Sequence, residues 1–527
     1  MQDLPLSQIR NVGIIAHIDA GKTTVTENML FFSGLTHRVG NIDEGTTIMD
    51  YLDEERTRGI TITAAAATFP WQDAHVHLID TPGHIDFTAE VERSLRVIDG
   101  AVVIFSGVEG VEAQSEKVWH QAERYNVPKV AFINKLDRVG ASFDRVLEEI
   151  GRKFDSLSVP VQCPVGIEGD FRSMVDLVTF ELIAFSGDDN ETVAREPVPD
   201  DLREEMSARR EAMIEALADK SDRIAAAYLE GEAIDPDALH ETIRALTAAN
   251  EIVPILAGSA KNRLGIQPLM DAVICYLPSP AAVADTCAKR VKDGRDVTIR
   301  PDAEEAFAGL IFKVVANTSA DLLYLRTYSG TLNAGAKLQN SRTKETVRAK
   351  QILRLYSKNT TAVESVGPGD IVGIIGPREC GTGDTLCDPR HLVAFEQMAF
   401  PEPVISMAVE PQSSREKDRL GQALHLLCRE DPTLSLAQDE ETGQWLFSGM
   451  GELHLEINLK RLKDEFNVGA RAGEPRVAYR ETFSTEDRVD ATFHKVVGEN
   501  ELQAGITLRV APLTRGGDMY RIKNGLK

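Results

Sequence analysis

The residues of this chain best suited to chemistry stand in short clusters, most of them directly after a run of apolar residues. Ala16-His17-Ile18-Asp19-Ala20-Gly21-Lys22-Thr23-Thr24 follows NVGIIA and opens a helical stretch that reaches about Gly34. A strand ending in such a loop and starting a helix aims unpaired N–H groups and the positive end of a dipole at one point, which suits a phosphate. Gly21 lets the backbone come close, Lys22 reaches β- and γ-phosphates, and Thr23 is placed to ligate magnesium. Ala16 stands where the strict glycine form of this loop has its first Gly. For this stretch alone, a glycine-bearing turn that binds nothing is the alternative.

Further clusters narrow the ligand. LIDTPGH ends an apolar strand with Asp80, suited to hold magnesium through water, and with Gly83, whose N–H is suited to sense a γ-phosphate. Its position relative to Lys22 reads as one doubly wound sheet with both loops on the same edge. AFINKLD places Asn134, Lys135 and Asp137 after another apolar run. A carboxylate at Asp137 accepts from guanine N1–H and N2–H₂, which adenine cannot offer. Ser259, Ala260 and Lys261 follow the run IVPIL and would close over the base. Between the first two loops lies RGITI, where Thr61 would cap the γ-phosphate side of the magnesium once ordered. A plain strand start is the alternative there, because ITIT alternates. Taken together, the clusters predict GTP and GDP as ligands with Mg2+.

Size and composition bound the rest. A chain of 527 residues is too long for one core and should hold several domains. Hydrophobic residues at 43% and charged residues at 27% are ordinary for a globular protein. No apolar run is long enough to span a membrane, and MQDLPLSQIR has neither signal nor transit character, so a cytoplasmic location without membrane contact is expected. The six cysteines form no CxxC pair, which argues for reduced thiols rather than zinc. A formal charge of −24 lends no support to free nucleic-acid binding, which draws its affinity from phosphate neutralisation.

AHIDAGKTT, RGITI, DTPGH, NKLD and SAK together resemble the elongation factor G family of translational GTPases. The resemblance runs through nearly the whole chain, with DYLDEERTRGITIT, LPSP, YSGTLNAG, FPEPVISMAVEP and GMGELHLEI among the matching stretches. It implies that His84 is the catalytic residue, orienting the attacking water under the influence of ribosomal RNA. It also implies a hydrophobic gate at Ile18 and Ile60 and a monovalent cation near Asp19. No arginine finger is evident; Arg56 and Arg58 read as solvated. The implied partner is the ribosome, through the ribosomal RNA of its factor-binding centre and its stalk proteins, with the chain a monomer.

The expected architecture is multidomain α/β and β. A P-loop GTPase domain spans 1–285, with an insert at about 158–252 that contains the acidic helical run DLREEMSARREAMIEALADK. Short alternating strands with regular turn signals predict a translation-factor β-barrel over 286–399. Strand, helix, strand, strand, helix, strand predicts a ferredoxin-like domain over 400–476. Within it, Glu452, His454 and Glu456 read as a helix start rather than a metal set. Residues 477–527 read as the start of a tip domain truncated at Lys527, and FHKVVGENELQAGITLRV, without the basic glycine cluster of the family, suggests its divergent second type. The expected function couples GTP hydrolysis to movement of messenger and transfer RNA. The alternatives are a divergent, second-type or truncated paralogue in ribosome recycling, protection or release, and a GTP-binding ribosome factor without translocase activity.

Overall fold

The computed structural model describes residues 5–40, 46–49, 53–58, 61–154, 156–283, 285–316, 320–356, 359–377, 379–398, 400–413, 416–439, 443–474, 485–497, 500–512 and 523. Its main sheet is built from β1 (Ile9–Ala16), β2 (Ala65–Trp71), β3 (Ala74–Asp80), β4 (Gly100–Ser106), β5 (Lys129–Asn134), β6 (Leu157–Pro160) and, after an excursion, β11 (Ile252–Ala257). The order is β2-β3-β1-β4-β5-β11-β6, parallel from β3 onward, with β2 antiparallel to β3.

Parallel strands covered on both faces carry near-continuous apolar runs, as β4, β5 and β11 do, each buried at every position. Side chains alternate between the faces. Ile15, Val103, Phe105 and Ile133 pack under α3 (Thr88–Leu95), α4 (Ala113–Arg124) and α5 (Phe143–Lys153) through Val91, Trp119 and Ile150. Ile14, Val102, Ile104 and Phe132 face α1 (Lys22–Phe32) and α9 (Ile266–Tyr276) through Met29, Leu269 and Val273. Connections in such a sheet leave the loops after β1, β3, β5 and β11 on its carboxyl edge, where ligands bind.

The excursion carries a four-stranded antiparallel sheet of β7 (Gln162–Val165), β8 (Ser173–Asp176), β9 (Glu181–Ser186) and β10 (Thr192–Pro197), then α6 (Asp200–Ala218), α7 (Asp222–Glu230) and α8 (Pro236–Ala248). The insert expected from 158 therefore begins inside β6, whose pairing of Leu157 with Ile252 and Val159 with Pro254 makes it part of the main sheet. A short helix, α2 (Asp53–Arg58), precedes β2.

In the next segment, the strands 346–348, 337–340, 385–387, 308–315, 322–329, 371–375 and 351–356 pair in that order, antiparallel throughout. This corrects the barrel expectation. Among the described residues no ladder pairs the edge strand 346–348 with the edge strand 351–356; the chain bends from one edge to the other between them, the Ala349 N–H donating to the Ala336 carbonyl and the Lys350 N–H to the Ile375 carbonyl. Tyr356 instead pairs with Ala67, joining this sheet to β2.

Residues 405–473 form a sheet in the order 435–438, 445–449, 405–411, 470–473, covered by α10 (Lys417–Glu430) and α11 (Glu452–Asp464). Val409, Leu424, Leu427, Phe447, Leu455 and Leu462 form its core. That is the split β-α-β arrangement the element order predicts. In the tail, 487–497 and 500–510 pair as a hairpin. Residues 475–484 and most of 513–527 lie outside the described residues. No helix among the described residues is long and apolar enough to cross a membrane.

Candidate functional site

The loop after β1 turns through Asp19 and Gly21, both in the left-handed region at φ 62° and 93°, before α1 starts at Lys22. Only glycine enters that region without strain, and the position is also crowded. A Cβ on Gly21 would lie 2.4 Å from Asn134 Nδ2. Asn134 cannot yield, being buried and committed at both ends. Its Nδ2 donates to the Ala20 carbonyl at 2.8 Å, and its Oδ1 accepts from the Ala260 N–H at 2.8 Å. One side chain at the end of β5 thus ties the loop after β1 to the loop after β11.

At the phosphate-loop end, Lys22 Nζ donates to Asp80 Oδ1 at 2.7 Å and to Thr61 Oγ1 at 3.0 Å. All three residues are buried. Thr26, one turn on, donates to Asp80 Oδ1 at 3.3 Å. At the base end, Ser259 Oγ donates to Asp137 Oδ1 at 2.6 Å, while Lys135 holds a left-handed φ of 62°. Between the two ends lies a cavity of about 730 Å³, within the range of small-molecule sites. His17, Ile18, Asp19, Gly21, Lys22, Thr23, Thr24, Thr61, Gly83, His84, Lys135, Ala260 and Lys261 line it. Ala20, Asp80, Asn134 and Ser259 stand behind that lining, fully or almost fully buried.

His84 follows β3 and caps a 3₁₀ turn over 85–87. Its Nδ1 accepts from the Asp86 N–H at 3.2 Å, so the neutral ring carries its proton on Nε2. Its ring stands 5.8 Å from that of Phe87, which in turn meets His454 of α11 edge-on at 5.7 Å. Ile18 is 40% exposed beside the cavity, and Ile60 lies outside the described residues. His17 is buried with Nδ1 2.8 Å from Ser115 Oγ, and burial lowers its pKa. Arg58 points to Glu54 and Glu456, at 3.1 and 3.4 Å, rather than into the cavity. His454 is spent within its own unit, Nδ1 accepting from the Met450 N–H and Nε2 3.0 Å from Asp431. Glu452 and Glu456 join it in no metal-holding group, and no cluster of three or more His, Cys, Asp or Glu residues suited to a metal ion occurs among the described residues.

The sequence reading missed residues that shape the site. Asn28 lines the cavity and donates to the Thr24 and Ala260 carbonyls at 2.7 and 3.0 Å. Its spacing of four from Thr24 on a helix was the available signal. Buried Glu27 accepts from the Gly40, Ile48 and Met49 N–H groups at 3.1, 2.7 and 3.1 Å, fixing the chain that leads toward Thr61. Glu109, Arg138 and Arg263 also line the cavity.

Comparison with known proteins agrees with this geometry. The model for the elongation factor Tu GTP binding domain matches residues 7–279, that for elongation factor G domain 2 matches 306–389, and that for elongation factor G domain III matches 400–474. Elongation factor G of Thermotoga maritima is 45% identical over 509 residues, covering 96% of this chain and 74% of the relative. Elongation factor G 2 of Geobacter metallireducens is 47% identical over 519 residues, covering 98% and 75%. A crystal structure of a Thermus thermophilus protein superposes with a TM-score of 0.81 at 28% identity, covering 96% of this chain and 73% of that one. A guanine-nucleotide site on a parallel sheet, followed by these two further units, places the chain in the elongation factor G family of translational GTPases.

Proposed function

We propose that the cavity binds GTP with its phosphates at Lys22 and its base at Asp137, and that the ribosome triggers hydrolysis to move messenger and transfer RNA. The observation that carries this reading is the convergence of Thr61 Oγ1 and Asp80 Oδ1 on one ammonium, Lys22 Nζ, at the end of the cavity where His84 stands. A bound γ-phosphate would draw Lys22 away and leave two hard oxygen donors facing the same spot.

That donor set fits magnesium, since oxygen ligands already gather a cation there. Thr23 and Thr61 would hold the ion directly and Asp80 through water. When bound, it neutralises charge developing on the phosphates. The chain's own residues do the rest. Loop N–H groups and Lys22 hold the phosphates, and the Gly83 N–H senses the γ-phosphate. Asn134, Ser259, Ala260 and Lys261 shape the base end, where Asp137 selects guanine by accepting two hydrogen bonds. His84, with Nδ1 engaged by Asp86, offers Nε2–H as a donor, which suits holding a water oxygen in line better than removing its proton. Exposed Ile18 lies beside the cavity, as a gate residue would.

The finer organisation belongs to the same reading. The units are a GTPase domain over 1–285, a β-rich unit over 286–399, a ferredoxin-like unit over 400–476 and the start of a tip unit after 477. The excursion from β7 to α8 is offered to the ribosomal stalk, the core to ribosomal RNA, and the chain works as a cytoplasmic monomer. GTP turnover measured with and without ribosomes is the test. Stimulation accompanied by messenger movement is the expected result. Absence of stimulation overturns the reading, and stimulation without movement assigns a recycling, protection or release role instead.

A further inference from the structure

Residues 62–64 join Thr61 to β2, and their backbone is held by side chains from three separate parts of the chain. Glu55 of α2, itself buried, accepts through Oε1 from the Ile62 and Thr63 N–H groups, each at 2.9 Å. Glu90 of α3 accepts through Oε2 from the Ala64 N–H at 3.0 Å. The Ala64 carbonyl accepts from Lys313 Nζ at 2.5 Å. Lys313 lies on the strand 308–315, far along the chain from the segment it holds.

Its placement is unusual. Lys313 is only 9% exposed, with its ammonium 5.6 Å from the centroid of the Tyr324 ring. Glu55 and Glu430 attract the charge, while Arg93 and Arg461 oppose it. Burying an ammonium is costly, and a packed aliphatic residue would fill the same space without that cost. The Nζ donor instead meets one backbone carbonyl, three residues beyond the hydroxyl that lies 3.0 Å from Lys22 Nζ.

We propose that Lys313 is a positioning residue for GTP turnover: by holding the Ala64 carbonyl it fixes Thr61 at the Lys22–Asp80 end of the cavity. Through this contact the β-rich unit sets the competence of the nucleotide site. The proposal rests on the reading of Thr61 as the γ-phosphate-side group. A lysine that merely cemented the two units would act on folding, and its effect would be independent of Thr61.

The experiment is a double-mutant cycle on the full chain, reading ribosome-stimulated GTP turnover. Lys313→Met should lower kcat about tenfold, as a displaced catalytic group does, with the KM for ribosomes and GDP affinity held within about threefold. Thr61→Ala should also be slow. The double variant should be within about twofold of Thr61→Ala alone, because both changes remove one function. Lys313→Arg, which keeps an N–H donor at the end of a long side chain, should restore turnover to within about threefold of the unaltered chain. Losses that multiply in the double variant, or unaltered turnover by Lys313→Met, overturn the proposal alone. Unaltered turnover by Thr61→Ala overturns the reading of Thr61 and the proposal with it. If Lys313→Met does not fold, Lys313→Gln goes through the same cycle with the same deciding outcomes.

Discussion

Lys22 Nζ lies 2.7 Å from Asp80 Oδ1 although one residue opens α1 and the other ends β3, and their side chains are 8% and 0% exposed. The pair spans the spot where phosphate and metal meet in the proposed complex. Lys22→Met would take the cationic partner from a buried carboxylate, a change that costs about 3 kcal/mol in comparable buried pairs. A lower thermal midpoint together with GTP affinity reduced about 100-fold or more is therefore expected. Calorimetry and equilibrium nucleotide binding check both, and unchanged GTP affinity would remove Lys22 from the phosphate site.

Asp137→Asn should weaken GTP binding about 100-fold or more and improve binding of xanthosine triphosphate, because the base-edge partner is inverted. The Ser259 Oγ hydrogen bond to Asp137 Oδ1 survives in the asparagine, so the loop keeps its shape. Competition binding with both nucleotides measures the switch. Intact guanine preference in the variant would refute this account of base recognition.

His84→Ala should retain nucleotide affinity within about twofold and lose ribosome-stimulated turnover by about 100-fold, the scale of a lost positioning or proton-handling group. The ring also caps the turn over 85–87, so circular dichroism and nucleotide affinity should accompany the rate measurement. Turnover at the unaltered rate would dismiss His84 from the mechanism.

Burial pushes the Lys313 ammonium down to about 7 from the ordinary value of 10.5, with Arg93 adding to the shift. Between those two pH values the unfolded chain binds a proton that the folded chain has released. Stability should therefore rise with pH across that window, by up to about 1 kcal/mol per pH unit. Lys313→Met should flatten the rise. Thermal midpoints taken at intervals from about pH 7.5 to 9.5 provide the check, and equal slopes in both chains would contradict the assignment.

Much of the site was legible before any fold was known. Apolar runs ending in AHIDAGKTT, DTPGH, NKLD and SAK announce strands buried on both faces, and such strands pair in parallel with their loops on one edge. Gly21 announces a close approach of the backbone to a ligand, while its left-handed φ of 93° belongs to the fold. The order of elements after residue 400 announces the split β-α-β sheet. The barrel was less legible, because turn signals report strand ends and not which strands pair.

The sequence by itself determined the ligand class, the sheet edge that carries it and the residue types at each end of the cavity, since these follow from local periodicity and short-range turn chemistry. Only the tertiary structure decided which groups hold those residues in place. Asn134 bridging Ala20 and Ala260, Glu27 gathering the N–H groups of Gly40, Ile48 and Met49, and Lys313 reaching Ala64 all join distant parts of the chain. Such partners leave no spacing signal in a sequence. They are selected by the need to satisfy buried polar groups once the chain has folded, and that need exists only in three dimensions.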